Sequence, residues 1–253
     1  MQWLALIYTC FAIIHMPDRS CTSAETIHKT GFDGLVQQPD GITAFKLDKI
    51  ALANISKTPF RHIFIPQFIP PEELAKITAD FPKSLDSEAF AASKKNVEER
   101  EVLATGDVKG AYAKLITDAH APALKAALFK KFGAKIPKKS YSRVTLRGTC
   151  IFRPCGGPGS VHHDSKNKII SVLIYLNQEP LDANSAAGNL LLLRSKNKLN
   201  DKKRIEVPSW NGNLVAFFNT PTAWHGLETY SGSRRAIQIN YETPDPLHPY
   251  IPP

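Results

Sequence analysis

The spacing of apolar residues predicts helices in the first part of the folded chain. One helix is expected to begin at Pro70 and Pro71 and to continue to Phe81, with apolar residues three or four positions apart. A second helix is expected over about 110–132. It should be kinked or divided at Pro122, because proline cannot donate the backbone hydrogen bond that a helix interior needs.

Beyond about residue 140 the pattern alternates, which is the period of a half-buried strand. Another short strand is expected within 59–70. The predicted strands of the second part are 142–153, 158–164, 168–177, 189–194, 204–207, 213–219, 223–227 and 234–242. Many short strands after a helical part predict a mainly β fold, a sandwich or barrel with supporting helices. Residues 41–253 then form a single domain, with helical support over about 59–140 and a β core over about 141–243.

The first 40 residues are expected to lie outside this fold. Residues 3–14 are apolar except Thr9, and the run is too short for a membrane span, which needs about 20 residues. It fits the core of a signal peptide, although no Lys or Arg precedes it, and it equally fits a wrongly assigned start. We expect a cytoplasmic protein, or a secreted or periplasmic one if residues 1–24 are a signal peptide.

Composition and charge fix the class of protein but not its chemistry. Of the 253 residues, 43% are hydrophobic and 22% are charged, a globular composition that excludes bulk disorder and a polytopic membrane protein. Lys and Arg number 32 against 23 acidic residues. The formal charge of +9 attracts anions without choosing among nucleic acid, phosphorylated lipid and acidic small molecules. The four cysteines are too few for a disulfide scaffold.

The candidate chemistry is a metal site in the β region. On a strand, His162 and Asp164 point to one face while His163 points away, so an imidazole and a carboxylate can bind one ion. His225 is the best candidate for a third ligand. Two histidines and one carboxylate form the facial triad of non-haem Fe(II) oxygenases, which leaves positions open for O₂ and a chelating cosubstrate. Each motif alone is common by chance, and a lone histidine more often packs in a core.

Two of the predicted strands divide into a polar and an apolar face. The polar faces carry Arg234, Ala236, Gln238 and Asn240 on one strand and Ser171, Leu173, Tyr175 and Asn177 on the other. If the apolar faces pack against helices, the polar faces line a cavity. There an arginine could bind one carboxylate of a dicarboxylate while the metal chelates the other end. The alternative is an ordinary sandwich with Arg234 in water, and alternation alone does not decide between the two.

With these residues the chain resembles the iron(II)- and 2-oxoglutarate-dependent oxygenases, in particular their prolyl-4-hydroxylase-like branch. The resemblance covers about residues 145 to 242. Its motifs are His162-His163-Asp164, Val172-Leu173-Ile174-Tyr175-Leu176-Asn177, Ala187-Gly188-Asn189-Leu190, Val207-Pro208-Ser209-Trp210-Asn211-Gly212-Asn213-Leu214-Val215-Ala216-Phe217, Trp224-His225-Gly226 and Gly232-Ser233-Arg234-Arg235-Ala236-Ile237. It implies a double-stranded β-helix, the jelly-roll, cupin-like core of that family, with supporting helices.

The resemblance also implies roles for individual residues. The residues that match Fe(II) ligands are His162, Asp164 and His225. Arg234, nine residues after the distal histidine, matches the partner of the distal carboxylate of 2-oxoglutarate. Tyr175 matches its hydrogen-bonding helper, and Arg235 is the alternative to Arg234 because the family's spacing varies by one or two residues.

The implied activity is hydroxylation of an unactivated C–H bond, coupled to decarboxylation of 2-oxoglutarate to succinate and CO₂. The implied cofactors are Fe(II), 2-oxoglutarate as cosubstrate and O₂, with ascorbate as an additional reductant. Demethylation or ring closure would use the same residues. The turn at 153–157 departs from the family, in which the preceding strand usually carries a tyrosine, so the contacts to the metal-proximal carboxylate stay open.

The sequence does not identify the substrate. Six basic residues between Arg194 and Arg204 would suit an anionic substrate, but a solvated basic loop is the favoured interpretation. No zinc finger or aromatic-basic interleaving supports nucleic acid. A small molecule, glycan or lipid is favoured over a protein. Two other functions stay open: a non-catalytic metal-binding β-helix or cupin-like module, and a protein (prolyl) hydroxylase.

Overall fold

The structure is a computed structural model. It describes residues 45–81, 98–101, 110–148, 150–155, 161–182, 188–196, 201–227, 230–232 and 234–244, with the backbone alone at 98–101, 145–148, 150–155 and 231–232. The predicted N-terminal segment 1–40 and the first residues of the predicted strand 158–164 lie outside these ranges. In the described part, no helix has both the length and the apolar character that crossing a membrane requires.

Short helices precede a series of strands in the described residues. The helices are α1 (Leu47–Leu52), α2 (Pro71–Ala79), α3 (Gly110–His120) and α4 (Pro122–Phe132). The strands are β1 (His62–Ile65), β2 (Glu98–Glu101), β3 (Tyr141–Gly148), β4 (Cys150–Cys155), β5 (Lys168–Tyr175), β6 (Leu190–Leu193), β7 (Ile205–Val207), β8 (Leu214–Phe218), β9 (Trp224–Leu227), β10 (Tyr230–Gly232) and β11 (Ala236–Glu242).

The two predicted helices form where the sequence expects them. Pro71 begins α2, and the second helix divides into α3 and α4 at Ala121, whose extended backbone (φ −61°, ψ 134°) precedes Pro122. The break follows from the steric restriction that proline places on the residue before it. Gly133 ends α4 in the left-handed conformation, with φ of +62°, that glycine adopts without steric cost.

The strands of the described residues form a six-stranded antiparallel sheet and two smaller ones. The order in the large sheet is β1-β8-β5-β11-β3-β2, and the small sheets are β7-β6-β9 and β10-β4. In the large sheet, β11 lies between β3 and β5, with Ala236 opposite Tyr175 and Asn240 opposite Ser171. Strand β8 pairs with the other edge of β5 and also with β1. The mainly β fold class is therefore confirmed.

The two faces of the large sheet bury different sets of residues. Its outer face, which includes Ile170, Val172, Ile174, Ile237 and Ile239, belongs to one core cluster with residues of the four helices. Its inner face contributes to a second cluster with the small sheet β7-β6-β9. The members of that cluster from the large sheet are Leu173, Tyr175, Val215, Phe217 and Ala236. The apolar faces of β5 and β11 thus pack against helices, which is the first of the two alternatives that alternation left open, and their polar faces point between the sheets.

The predicted strand 158–164 is wrong in its described part, where only His162 forms a single antiparallel bridge, with His225. After this bridge the chain leaves the small sheet, so that Asp164 reaches the large one. Helix α1 and strands β2 and β10 were not expected from the sequence. Strand β2, with the sequence Glu-Glu-Arg-Glu, has no apolar alternation by which it could be recognised.

Candidate metal centre

The structure brings the three predicted metal ligands together. His162, Asp164 and His225 each offer a ligand atom, and these atoms all lie within 4.8 Å of one another. The two histidines are joined through their backbones, since each N–H donates to the other's carbonyl oxygen at 2.9 Å. Their rings are 4.5 Å apart between centroids. His162 is exposed and the other two are buried, so the group is open to solvent on one side only.

His225 is fixed in the form that binds metal. Its Nδ1 lies 2.9 Å from the carbonyl oxygen of Ala223, which can only accept, so Nδ1 carries the hydrogen and Nε2 keeps its lone pair. The ring also packs on Phe217 of the large sheet, 4.8 Å away between centroids. The side chain is buried, and this burial is the main cause that lowers its pKa to about 4. His225 is therefore neutral near pH 7.

Asp164 is held by two side chains of β5. Lys168 Nζ donates to Oδ1 at 2.7 Å, and Ser171 Oγ donates to Oδ2 at 2.5 Å. Burial of the carboxylate, 5% exposed, raises its pKa. The charge that His225 carries when protonated and the charge of Lys168, with the hydrogen bonds from Lys168 and Ser171, outweigh that effect, so the pKa lies below its usual value. Asp164 is therefore anionic near pH 7 despite its burial.

This donor set fits a divalent metal ion. A neutral imidazole and a carboxylate need no deprotonation at neutral pH before they bind. Two nitrogen ligands and one carboxylate suit Fe(II), with further coordination positions left for other molecules. Asp164 and His225 also have outer partners, Ser171 and Ala223, which is the kind of support that orients metal ligands.

Arg234 and Tyr175 lie on the inner face of the large sheet. The Arg234 side chain is 6% exposed, its Nε donates to the carbonyl oxygen of Gly188 at 2.8 Å, and its guanidinium lies 5.0 Å from the centroid of the Tyr175 ring. Its Nη2 is buried and has no hydrogen-bond partner among the described residues. A buried guanidinium with an unused donor fits a carboxylate. Tyr175 is four residues, roughly 13 Å of strand, from Ser171 beside Asp164.

Arg235 lies on the other face. Its guanidinium is 4.7 Å from the centroid of the Phe81 ring, which belongs to the core cluster on the helix side of the sheet. Its backbone N–H donates to Asn177 Oδ1 at 2.7 Å. The structure therefore brings Arg234, and not Arg235, to the inner face on which Tyr175 and Ser171 lie.

Three contacts of this centre were missed by the sequence analysis. Lys168 was expected only as the first residue of a predicted strand and Ser171 only as part of a polar face, yet both contact Asp164. Alternation could have indicated Ser171, which shares a face with Tyr175. Asn219, whose side chain contacts the loop after Asp164, follows an unbroken apolar strand, and no sequence signal indicates its contacts.

The basic run between Arg194 and Arg204 carries acidic partners. Arg194 forms a two-pronged pair with Asp201, with both nitrogen–oxygen distances at 2.7 Å. Arg204 Nη2 lies 2.7 Å from Glu206 Oε1. Part of the positive charge of this run is therefore neutralised by one acidic residue within it and one just after it.

Comparison with protein families matches residues 151–242 to the 2OG-Fe(II) oxygenase superfamily. Comparison with curated proteins finds no match. Among solved structures, a prolyl 4-hydroxylase from Phytophthora capsici is similar, with a TM-score of 0.54 and 12% identity over 85% of this chain and 70% of that chain. A prolyl-4-hydroxylase from Pseudomonas putida gives a TM-score of 0.48 and 15% identity over 78% of this chain and 96% of that chain.

At 12% identity the Phytophthora capsici structure shows the fold alone, and it confirms the double-stranded β-helix. The matched segment runs from β4 to β11 and contains the three-ligand group, Arg234 and Tyr175. The family's cofactors are Fe(II), 2-oxoglutarate and O₂, and the donor set described above suits them. Residues 151–242, which form most of the β core, therefore match the 2OG-Fe(II) oxygenase superfamily, in agreement with the resemblance seen in the sequence.

Proposed function

We propose that this protein is an Fe(II)- and 2-oxoglutarate-dependent dioxygenase that hydroxylates an unactivated C–H bond. One observation carries the proposal. The inner face of the sandwich joins a three-ligand group with a buried arginine whose Nη2 has no partner among the described residues. A metal alone would explain the first feature but not the second, whereas a chelating dicarboxylate accounts for both.

The chain's own residues have separate tasks in this proposal. His162, Asp164 and His225 hold the metal ion, and the hydrogen bonds to Asp164 and His225 keep those two side chains oriented. Arg234 pairs with the distal carboxylate of 2-oxoglutarate, and the Tyr175 ring beneath the guanidinium fixes its direction.

Fe(II), when bound, supplies the activation of O₂ that couples loss of CO₂ from 2-oxoglutarate to oxidation of the substrate. One 2-oxoglutarate, one O₂ and one R–H are consumed, and succinate, CO₂ and R–OH are formed. The apolar side chains around Tyr175, such as Leu173, Leu192 and Val215, keep water from the interior of the sandwich.

The test is succinate formation by the purified protein with Fe(II), ascorbate, 2-oxoglutarate and O₂, without added substrate. Slow turnover is expected in the wild type and none in His162→Ala. His163→Ala is the matched control, because this neighbouring histidine packs on Trp224, with ring centroids 4.7 Å apart, and is not a ligand in the proposal. Its rate should stay within about twofold of wild type.

Two results would contradict the proposal. If His162→Ala retained the wild-type rate, the triad would not hold the catalytic metal. If the wild type neither formed succinate nor bound 2-oxoglutarate together with Mn(II), the non-catalytic metal-binding module would be the better description.

The substrate class is the finer part of the proposal. We favour a small molecule, glycan or lipid over a protein, and stimulation of succinate formation by members of a mixed panel is the measurement. Stimulation by proline-containing peptides, and not by the other classes, would instead identify a protein hydroxylase.

A further inference from the structure

Asn219 lies at the junction of the two segments that carry the buried ligands. It follows the last residue of β8, Phe218, and opens the turn that leads within six residues to His225. It is 7% exposed, so its polar groups are nearly closed off from solvent. Its side chain points away from its own turn, toward the loop that joins Asp164 to β5.

Asn219 donates three hydrogen bonds to that loop and to the first two residues of β5. Its Nδ2 donates to the carbonyl oxygens of Ser165, at 2.7 Å, and of Lys168, at 3.0 Å. Its backbone N–H donates to the carbonyl oxygen of Ile169 at 2.9 Å. Ser165 is the residue directly after Asp164, and Lys168 donates to the Asp164 carboxylate. The contacts of Asn219 therefore fix the backbone on both sides of the loop that presents this ligand.

The same loop is also held by Thr243, the residue directly after β11. Thr243 N–H donates to the carbonyl oxygen of Asn167 at 2.9 Å, and Asn167 Nδ2 donates to the carbonyl oxygen of Thr243 at 3.1 Å. This second anchor does not lead to a ligand. The anchor through Asn219 does, because the backbone of Asn219 continues to His225 while its amide holds the segment after Asp164.

We propose that Asn219 is a positioning residue that sets the separation of Asp164 and His225 and thereby the affinity of the metal centre. The proposal rests on the proposed function, since it takes these residues as metal ligands. Outer partners that orient metal ligands typically contribute 10- to 100-fold in affinity. The competing explanation is that Asn219 stabilises a buried turn and has no particular relation to the metal.

Asn213 is a matched control at the opposite end of β8. It is 5% exposed, its Oδ1 accepts from Gln67 N–H at 2.9 Å, and its Nδ2 donates to the carbonyl oxygen of Pro208 at 3.2 Å. It is thus a buried asparagine that anchors two backbone segments, neither of which carries a ligand. Replacing it removes a similar set of hydrogen bonds without touching the loop after Asp164.

The experiment measures Mn(II) binding to the full chain by the loss of the free-ion electron paramagnetic resonance signal. The proteins are wild type, Asn219→Ala, Asn213→Ala and His225→Ala, each shown to be folded by circular dichroism. We expect Asn219→Ala to bind Mn(II) at least about 10-fold more weakly than wild type, and Asn213→Ala to stay within about twofold. Asn219→Ser, which keeps one short donor, replaces Asn219→Ala if that variant does not fold, and it should also bind more weakly.

Any other outcome contradicts either the positioning role of Asn219 or the proposed metal site. Wild-type affinity in the Asn219 variant removes the positioning role, and equal losses in the Asn219 and Asn213 variants show a purely structural one. Both results leave the proposed function intact as long as His225→Ala binds no Mn(II). If the wild type itself binds no Mn(II), or His225→Ala binds as tightly as wild type, the proposed metal site fails and the positioning role fails with it.

Discussion

At the residue scale, the burial that keeps His225 neutral, and so able to bind a metal ion, also makes the stability of the protein depend on pH. Because burial lowers its pKa to about 4, the folded chain keeps this ring neutral at pH values at which the unfolded chain protonates it. Between pH 6.5 and about 4 the unfolded state binds more protons, so the free energy of unfolding falls as the pH falls. Above pH 6.5 this contribution, roughly 3 kcal/mol, is fully present.

We therefore expect the metal-free protein to lose stability on acidification from pH 7 to 4.5, and His225→Asn to lose less. The measurement is urea unfolding in the presence of a chelator across this range. His62 and His120 remain in the variant, and burial lowers their pKa values as well. The free energy of unfolding of the variant should therefore still fall with pH, but less steeply than that of the wild type. Equal slopes in the two proteins would show that the ring of His225 is not kept neutral by the fold.

The two adjacent arginines give a second prediction at this scale. Arg234→Gln should weaken 2-oxoglutarate binding about 10- to 100-fold, because a buried charge-assisted pair is lost. Arg235→Gln should change it by less than about twofold, because Arg235 packs over Phe81 on the helix side. Isothermal titration of the Mn(II)-loaded proteins with 2-oxoglutarate measures both. The reverse order would assign the cosubstrate to Arg235.

Alternation in the sequence placed Arg234 and Arg235 on opposite faces, but it could not say which face was inside. That depended on the helices covering Ile237 and Ile239, which is a tertiary fact. The contacts of Asn219 were beyond prediction for a similar reason. They join residues 51 and 54 positions apart through side chain and backbone, and no local pattern marks them.

At the element scale, the turn before β8 is less tolerant of an added side chain than the turn after α4. Gly212 before β8 and Gly133 after α4 have nearly the same backbone, with φ of +67° and +62°. A Cβ at Gly133 would meet nothing within 4 Å, whereas a Cβ at Gly212 would collide with the backbone carbonyl oxygen of Ile69. Ile69 also donates its N–H to Gly212, so the two segments cannot move apart freely.

Gly133→Ala should therefore cost about 1 kcal/mol of unfolding free energy, the cost of a left-handed backbone alone. Gly212→Ala should cost about 2 to 4 kcal/mol, because the same backbone cost is joined by a steric clash. Chemical denaturation of both variants gives the comparison. Similar losses in the two proteins would mean that the Ile69 segment yields to the added methyl group.

Elements were predictable where apolar residues recur at a regular spacing or where a proline marks a boundary. Elements that lack both signals were not predictable. The division between α3 and α4 follows from Pro122 alone, and β5 and β11 follow from alternation. Strand β2 forms because it pairs with β3 at the sheet edge, with Glu98 opposite Gly148. Such pairing does not require a recognisable pattern in the sequence of β2.

At the scale of the whole molecule, the order of the strands was not predictable from local pattern. Strand β1 pairs with β8, and β11 lies between β3 and β5, so most neighbours in the large sheet are distant in sequence. Alternation predicts that strands exist but does not say which of them pair. The jelly-roll topology came from the family resemblance, while the division into one domain and an N-terminal segment stays a prediction.

The proposed ligands are divided between the two main sheets. His225 belongs to the small sheet, and His162 is bridged to it, whereas Asp164 is held by Ser171 of the large sheet. An ion bound by all three connects the sheets. At a free concentration 100 times its dissociation constant, a ligand that binds only the folded state adds about 2.7 kcal/mol of stability.

We therefore expect Mn(II) to raise the melting temperature of the wild type, while leaving that of His225→Ala unchanged. Calorimetry measures the shift, and hydrogen exchange should show added protection in β5 and β9 together. Protection confined to one of these strands would mean that the ion does not join the sheets.

This division makes the supply of iron relevant to the lifetime of the protein as well as to its chemistry. Without the ion, the sandwich lacks this additional connection between its sheets, and local opening exposes its strands to proteases more often. A cell short of iron would then degrade the idle protein faster, and the amount of enzyme would follow the availability of its cofactor without a dedicated regulator.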